Sequence, residues 1–413
     1  MTVDLPVNAA APVRDRWPDL AVPRGTRATV SATVVDLLVR RLTRRLPLAV
    51  QYPDGTVLGP ATAPRLILHR PDDFAARVGV AGLIGFGESY MAGDWDASDL
   101  VGVLTVFAAH VDELVPRSLA RLRRLHVARH PAAHRNSKDN TRANIAWHYD
   151  LSNDFFGLFL DETLTYSAAL FAGPADDLAN AQRAKIDRLL DRAGVGPETR
   201  LLEIGTGWGE LALRAAARGA TVHTVTLSTE QQAAARARVA AAGLADRVRV
   251  DLLDYRRVRG TYDAVVSVEM IEAVGYEYLD TYFATIDAVL APGGRAAIQA
   301  ITMPHERMLA TRDTYTWIQK YIFPGGFLPS VRAIEESVAR GTELVVAEQF
   351  SMGPHYARTL REWRERFDAA GAEVAALGFD ETFTRMWRLY LAYSEAGFRA
   401  GYLDVGQFVL ARP

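Results

Sequence analysis

The sequence predicts an α/β fold with a mostly parallel sheet and a helical lid, preceded by a smaller α+β domain. Three observations carry this reading. An apolar run at residues 201–204 turns through the alternating glycines Gly205, Gly207 and Gly209 into a helical segment. Strands and helices then alternate as far as Ile301, the pattern of βαβ units in a parallel sheet. Finally, 413 residues exceed what one hydrophobic core ordinarily supports, which implies two domains.

Taken in order, residues 29–46 read as a helix and residues 48–52 and 65–69 as short strands, while GFGESYMAGDW (85–95) reads as a turn-rich segment with three aromatics. From Arg117 to Lys138 the chain carries Arg121, Arg123, Arg124, Arg129 and Arg135 without an acid, and Pro131 breaks any continuous helix there. This basic stretch reads as a helix end and linker, either solvated or attracted to anionic headgroups. It divides the chain into domains 1–135 and 136–413. Asn153-Asp154 is placed to cap a short amphipathic helix through Leu160, whose aromatics form either a buried face or part of a lid. In the second domain, strands are expected at 201–204, 220–226, 247–252 and 262–268, with helices at 211–218 and 228–242. The turn Pro292-Gly293-Gly294 then feeds a fifth strand at 295–301. Ligands of parallel sheets lie beyond the carboxyl ends of the strands. The Gly205 loop, Thr226-Leu227-Ser228, Asp254-Tyr255 and residues 269–272 all fall at such ends.

The loop itself selects a ligand. A dinucleotide site uses G-x-G-x-x-G, with a pyrophosphate at the helix N-terminus. Here the spacing is E-x-G-x-G-x-G, with Glu203 two residues before Gly205, which suits S-adenosylmethionine, a cofactor with an ammonium and a sulfonium but no phosphate. Forty-seven basic residues against 49 acidic give a formal charge of −2 and no general case for nucleic acid. The absence of cysteine excludes disulfides, thiolate metal sites and a cysteine nucleophile. His126, His130 and His134 recur four apart, but Pro131 and the surrounding arginines argue against a metal site. No apolar run approaches the ~20 residues of a membrane span, so a cytoplasmic protein is expected.

Six segments in order, HYDLSNDFF, the pair Tyr166-Ser167, LLEIGTGWG, VTLSTEQ, VSVEMIEAVG and KYIFPGG, resemble the cyclopropane-fatty-acyl-phospholipid synthase and mycolic acid methyltransferase family. GFGESYMAGDW resembles the front domain of the full-length bacterial synthases. The resemblance spans nearly the whole chain. It implies a class I methyltransferase (Rossmann-like) fold, S-adenosylmethionine as donor, and an unsaturated acyl chain, usually of a phospholipid, as acceptor. The enzyme would then meet its substrate peripherally at the inner face of the membrane; an oligomer is compatible with the sequence.

Carried over by residue, the resemblance places the cofactor against Tyr166, Ser167, Gly205, Gly207, Gly209, Thr226, Leu227 and Gln231. Glu203 orients the loop or meets the cofactor ammonium, and Asp254 and Tyr255 border the adenine. The family holds a bicarbonate as base, using a glutamate, a histidine, a tyrosine, a cysteine and backbone. Glu272 and Tyr356 match the glutamate and tyrosine, and Ile301 lies beside the strand backbone. Gln299 stands where the histidine would fall, and Ala168 where the cysteine would. An amide cannot take up a proton, and alanine has no polar side chain. Bicarbonate and a side-chain base therefore both remain open. His148 reads first as a core or capping histidine, with a lid hydrogen bond or a catalytic base as the other readings, and Trp317, Tyr321, Phe323 and Phe327 line an acyl channel or fill the core. The departures, with VEMIEAVGYEYL and ITMPHERMLATRDTYTWIQKYIFPGG, resemble the actinobacterial subgroup that makes 10-methylene-stearoyl chains from oleoyl phospholipid, for reduction by a separate enzyme. A cyclopropane is the alternative product.

Overall fold

The structure, a computed structural model, describes residues 17–111, 113–114 and 152–413. His148, the three spaced histidines and the basic stretch from Arg117 to Lys138 lie outside the described residues, as does the expected boundary near residue 135. The chain separates into two compact units, Met1–Val103 and Leu104–Pro413.

In the first unit, α1 (Thr26–Leu42) precedes β1 (Ala49–Gln51), β2 (Val57–Leu58) and β3 (Arg65–Leu68), then α2 (Pro71–Ala81), α3 (Leu83–Met91) and β4 (Trp95–Ala97). Its sheet runs β2-β1-β3-β4. The turn-rich reading of GFGESYMAGDW is corrected here, because most of this segment is α3. Its glycines serve close packing: a Cβ on Gly85 would lie 2.0 Å from the carbonyl oxygen of Arg77 in α2. Trp95 is fully buried and donates its indole N–H to Ser89 at 2.9 Å, while the Asp94 carboxylate accepts from Arg77 at 2.8 Å and Arg70 at 3.0 Å. The motif is thus the core of this unit. Gly85→Ala is expected to destabilise it by ~1–3 kcal/mol, since a backbone contact relaxes poorly; a lowered urea midpoint would register this, and an unchanged one would refute it.

From residue 152 the second unit contains α4 (Asn153–Gly157) and α5 (Leu178–Arg192), followed by β5 (Arg200–Ile204), α6 (Glu210–Ala217), β6 (Thr221–Thr226), α7 (Thr229–Ala241), β7 (Val248–Leu252), β8 (Tyr262–Val268), α8 (Leu279–Val289) and β9 (Leu290–Thr302). Further along the chain come α9 (Val331–Gly341), β10 (Val345–Ser351), α10 (Gly353–Ala369), α11 (Glu381–Arg399) and β11 (Asp404–Ala411). The sheet order is β10-β11-β9-β8-β5-β6-β7, parallel from β9 to β7, with β11 antiparallel to both of its neighbours. One face packs on α8 and α9 through Phe283, Ile286, Ile334 and Val338. The other packs on α5, α6 and α7 through Ile186, Leu189, Ala215 and Val239. Burial on both faces explains why the central strands β5 and β8 read as apolar runs.

Two local expectations change. Strand β9 runs through Pro292-Gly293-Gly294, where the ladder register shifts opposite Tyr262 and Ala264; a Cβ on Gly294 would lie 2.7 Å from the Asp263 carbonyl oxygen. The glycine therefore permits an irregularity within the strand, not a turn before it. Helix α4 is capped by Ser152, whose hydroxyl accepts from Phe155 N, not by Asn153-Asp154. Asn153 instead accepts the Trp208 indole N–H at 2.7 Å. Phe155, Phe156 and Phe159 are fully buried and cluster with Trp387 of α11, which favours the buried-face reading of these aromatics.

Candidate cofactor and active site

Strand β5 has β6 on one side and β8 on the other, so the connections diverge there and open a crevice at its carboxyl end. The loop leaving β5 is left-handed at Gly205, Gly207 and Gly209, with φ of 99°, 50° and 91°, which only glycine adopts without strain. A Cβ on Gly207 would meet nothing within 4 Å, whereas one on Gly209, the N-cap of α6, would come 3.1 Å from Ala235 Cβ. The first leaves room for a ligand; the second lets α6 lie close to α7.

Beneath this loop Glu203 is 3% exposed. Burial raises its carboxyl to about 8, against the opposing hydrogen bond of Thr224, and its Oε2 is buried without a partner. Thr226 donates to Gln231 Oε1 at 2.9 Å, while Ser228 caps α7. Leu227 between them is partly exposed. Asp254 accepts from Arg256 and caps the turn that carries Tyr255, whose ring meets Tyr282 edge-on at 5.6 Å.

A second cluster forms where β8 ends beside β9. Glu269, in a left-handed conformation at φ 47°, is its hub. Its Oε1 accepts from the Ala168 backbone N–H at 2.8 Å and from Gln299 Nε2 at 2.7 Å; its Oε2 accepts from the Tyr356 hydroxyl at 2.8 Å. Gln299 is fixed from the other side, because its Oε1 accepts from Gln407, its cross-strand partner on β11, at 3.1 Å. Next to this hub, Glu272 Oε1 accepts from Ile301 N at 2.6 Å, while its Oε2 is buried without a partner. Burial, reinforced by the Glu269 charge, pushes the Glu272 carboxyl up to about 8. Lys185 is fully buried and donates to Ser167 Oγ at 2.5 Å; burial lowers its ammonium to about 8 despite the attraction of Glu269. Tyr166 shares a 2.7 Å hydrogen bond with Tyr390 and packs 5.2 Å from Trp363.

The expected residues thus form two groups. Glu203, the glycines, Thr226, Leu227 and Gln231 line the β5–β6 end. Gln299, Ile301, Tyr356 and Glu272 gather at the β8–β9 end. The Ser167 hydroxyl faces Lys185, and Ala168 contributes through its backbone although it has no polar side chain. Sequence reasoning missed Lys185 and left Glu269 without a role. Lys185 left a signal, since it continues the apolar face of α5 marked by Leu178, Ala181, Ile186 and Leu189. A lysine in such a stripe is either buried or snorkelling.

A family model described as mycolic acid cyclopropane synthetase matches residues 136–408. The chain belongs to this family. It is 58% identical to the tuberculostearic acid methyltransferase UfaA1 of Mycobacterium tuberculosis, over 100% of this chain and 99% of that protein. It is 37% identical to the cyclopropane-fatty-acyl-phospholipid synthase of Escherichia coli K12, over 85% of this chain and 89% of the relative. Among solved structures, the mycolic acid cyclopropane synthase CmaA1 complexed with SAH and CTAB superposes with a TM-score of 0.61 at 34% identity, covering 65% of this chain and 97% of that one. The cyclopropane synthase MmaA2 from Mycobacterium tuberculosis gives 0.60 at 34% identity, over 65% and 98%.

This cyclopropane-synthetase-family protein is an S-adenosylmethionine-dependent methyltransferase. The residues at the β5–β6 end fit that cofactor: the glycine cradle is open at Gly207, and the orphaned Glu203 oxygen offers an acceptor to an ammonium. Bicarbonate does not fit the place the family gives it. The Gln299 amide and the Tyr356 hydroxyl are spent on Glu269, the Ile301 N–H on Glu272, and Ala168 has no polar side chain.

Proposed function

We infer that this methyltransferase alkylates the double bond of an oleoyl-type acyl chain in a phospholipid and resolves the resulting cation to a 10-methylene branch. The full-length 58% match to a tuberculostearic acid methyltransferase carries this reading. When bound, S-adenosylmethionine supplies an electrophilic methyl group on a sulfonium. Gly205, Gly207, Thr226, Leu227 and Gln231 hold it, with Glu203 toward its ammonium and Asp254 and Tyr255 beside the adenine.

An alkene is a weak nucleophile, so the protein contributes positioning and water exclusion. The rings of Tyr166 and Tyr356 pack on either side of the buried Trp363, 5.2 Å and 6.1 Å from it, an aromatic wall that keeps water out. The carboxyl groups of Glu269 and Glu272 add acceptor oxygens beside them. A 1,2-hydride shift followed by loss of a proton from the new methyl gives the methylene; loss of that proton without the shift closes a ring. Ring closure is the second reading, supported by the 37% identical synthase.

Among the described residues no helix is long and apolar enough to cross a membrane. The acceptor would therefore be reached by peripheral contact with a lipid surface, and the methylene product would pass to a reductase. The division into a front domain to about residue 135 and a methyltransferase domain from 136 belongs to the same proposal. Incubation with labelled S-adenosylmethionine and oleoyl phospholipid vesicles, followed by fatty-acid analysis, tests it. An exocyclic methylene in labelled chains is expected. A cyclopropane would select the second reading, and unlabelled acyl chains would overturn both.

A further inference from the structure

The three groups that the family resemblance assigns to a bicarbonate, at positions 168, 299 and 356, all converge in this chain on one side chain. The Ala168 N–H and the Gln299 amide donate to Glu269 Oε1, and the Tyr356 hydroxyl donates to Oε2. A carboxylate has about four lone-pair sites, and these contacts fill three. The remaining one is on Oε2, and Glu269 as a whole is partly buried. Backbone geometry supports a specific demand for this acid: φ at Glu269 is 47°, where glycine is at ease and glutamate is strained. The amide orientation of Gln299 is enforced by Gln407, itself held by Arg188 at 2.6 Å, so the donors are fixed before any ligand arrives.

We propose that the Glu269 carboxylate replaces bicarbonate as the base of this enzyme, held by Ala168 N–H, Gln299 and Tyr356 in the cradle otherwise used for the external anion. The step rests on the acyl-alkene reading above. A C–H bond of the newly added methyl breaks, its electron pair forms the exocyclic C=C, and the proton goes to Glu269 Oε2, leaving the acyl chain neutral. Charge balances, since the positive charge delivered with the methyl leaves as that proton, which passes to solvent when product departs. No oxidant or reductant is involved. Burial raises the Glu269 carboxyl, opposed by the Lys185 ammonium and by the three donors, which favour the ionised base, while Glu272 is the second carboxyl of the pair.

The test uses the full-length protein, with S-adenosylmethionine affinity measured for every variant as a check on folding. Wild-type labelling of oleoyl phospholipid vesicles is expected to be the same in carbon-dioxide-free buffer as with added bicarbonate, and 13C-bicarbonate is expected to show no saturable NMR signal with the wild type. E269Q keeps the shape but cannot accept the proton, and its turnover should fall by about 10²–10⁴-fold. E269G relieves the strained φ and empties the cradle; it should bind 13C-bicarbonate and regain turnover when bicarbonate or formate is added. Saturable bicarbonate binding to the wild type, a wild-type rate that collapses without it, or near-normal turnover of E269Q would each overturn the proposal. Loss of cofactor affinity in both variants would assign Glu269 a structural role and overturn it too. Unlabelled acyl chains with a bicarbonate-free wild type would instead refute the acceptor reading alone, because the NMR measurement needs no turnover.

Discussion

Replacing Glu272 by alanine is expected to lower turnover by about 10²–10⁴-fold while S-adenosylmethionine binding survives. The Glu272 side chain is hydrogen-bonded to β9 and not to the glycine loop, so its loss leaves that loop's own contacts in place. Its Oε1 is anchored by Ile301 N at 2.6 Å, and its Oε2 is a buried oxygen with no partner in the protein. Leaving such an atom unsatisfied costs about 1–3 kcal/mol, a cost that makes sense where a cation must form. With its carboxyl raised to about 8 by burial and by Glu269, Glu272 is mostly protonated at neutral pH. The neutral carboxyl still presents acceptor oxygen to a cation arising beside it without placing a second full charge next to Glu269. Glu272→Gln keeps the acceptor for Ile301 N, so it separates this role from anchoring. If anchoring were the whole role, the glutamine variant would retain normal kcat; parallel kcat measurements on the two variants decide.

The second large effect concerns Glu203. S-adenosylmethionine binding at pH 7 is expected to release a proton, and Glu203→Gln to weaken that binding about 10–100-fold, the value of a charge-assisted hydrogen bond. Calorimetry in buffers of differing ionisation enthalpy measures the first, and titration the second. The sign follows from burial. Its folded-state carboxyl is raised from 4.5 to about 8, so between these values the native state holds a proton that the unfolded chain has lost. The contribution of this group to stability is therefore fully present below 4.5 and disappears as pH rises toward 8, by on the order of 5 kcal/mol at most. Unfolding of the cofactor-free protein should thus show wild type losing ground to Glu203→Gln from pH 5 to pH 8. A constant difference, with no proton released on binding, would remove Glu203 from the cofactor site.

Much of the fold could be read from the chain because it rests on local signals. The central strands β5 and β8 are buried on both faces and appear as short apolar runs, and each glycine of the 205–209 loop sits at a left-handed φ. Where the reading failed, glycine was the ambiguous signal. Gly85 and Gly294 looked like turn residues, yet they mark close backbone approach inside a helix pair and a strand ladder. A sequence shows that a Cβ is absent, not which neighbour requires its absence.

The candidate site divides in the same way. The sequence by itself determined the glycine loop and the order of the strand ends around it, and it singled out Glu272 within a contiguous motif and Gln299 and Tyr356 by their places relative to strands as candidates. Only the tertiary structure decided what those residues do together. Ala168, Glu269, Gln299 and Tyr356 come from four separate segments, and Gln407 reaches Gln299 solely through the antiparallel register of β9 and β11. Hydrogen-bond saturation depends on distances between such segments, so the chain could show that two positions depart from the family pattern, while the fold alone brought the Glu269 carboxylate onto Ala168 N–H, Gln299 and Tyr356.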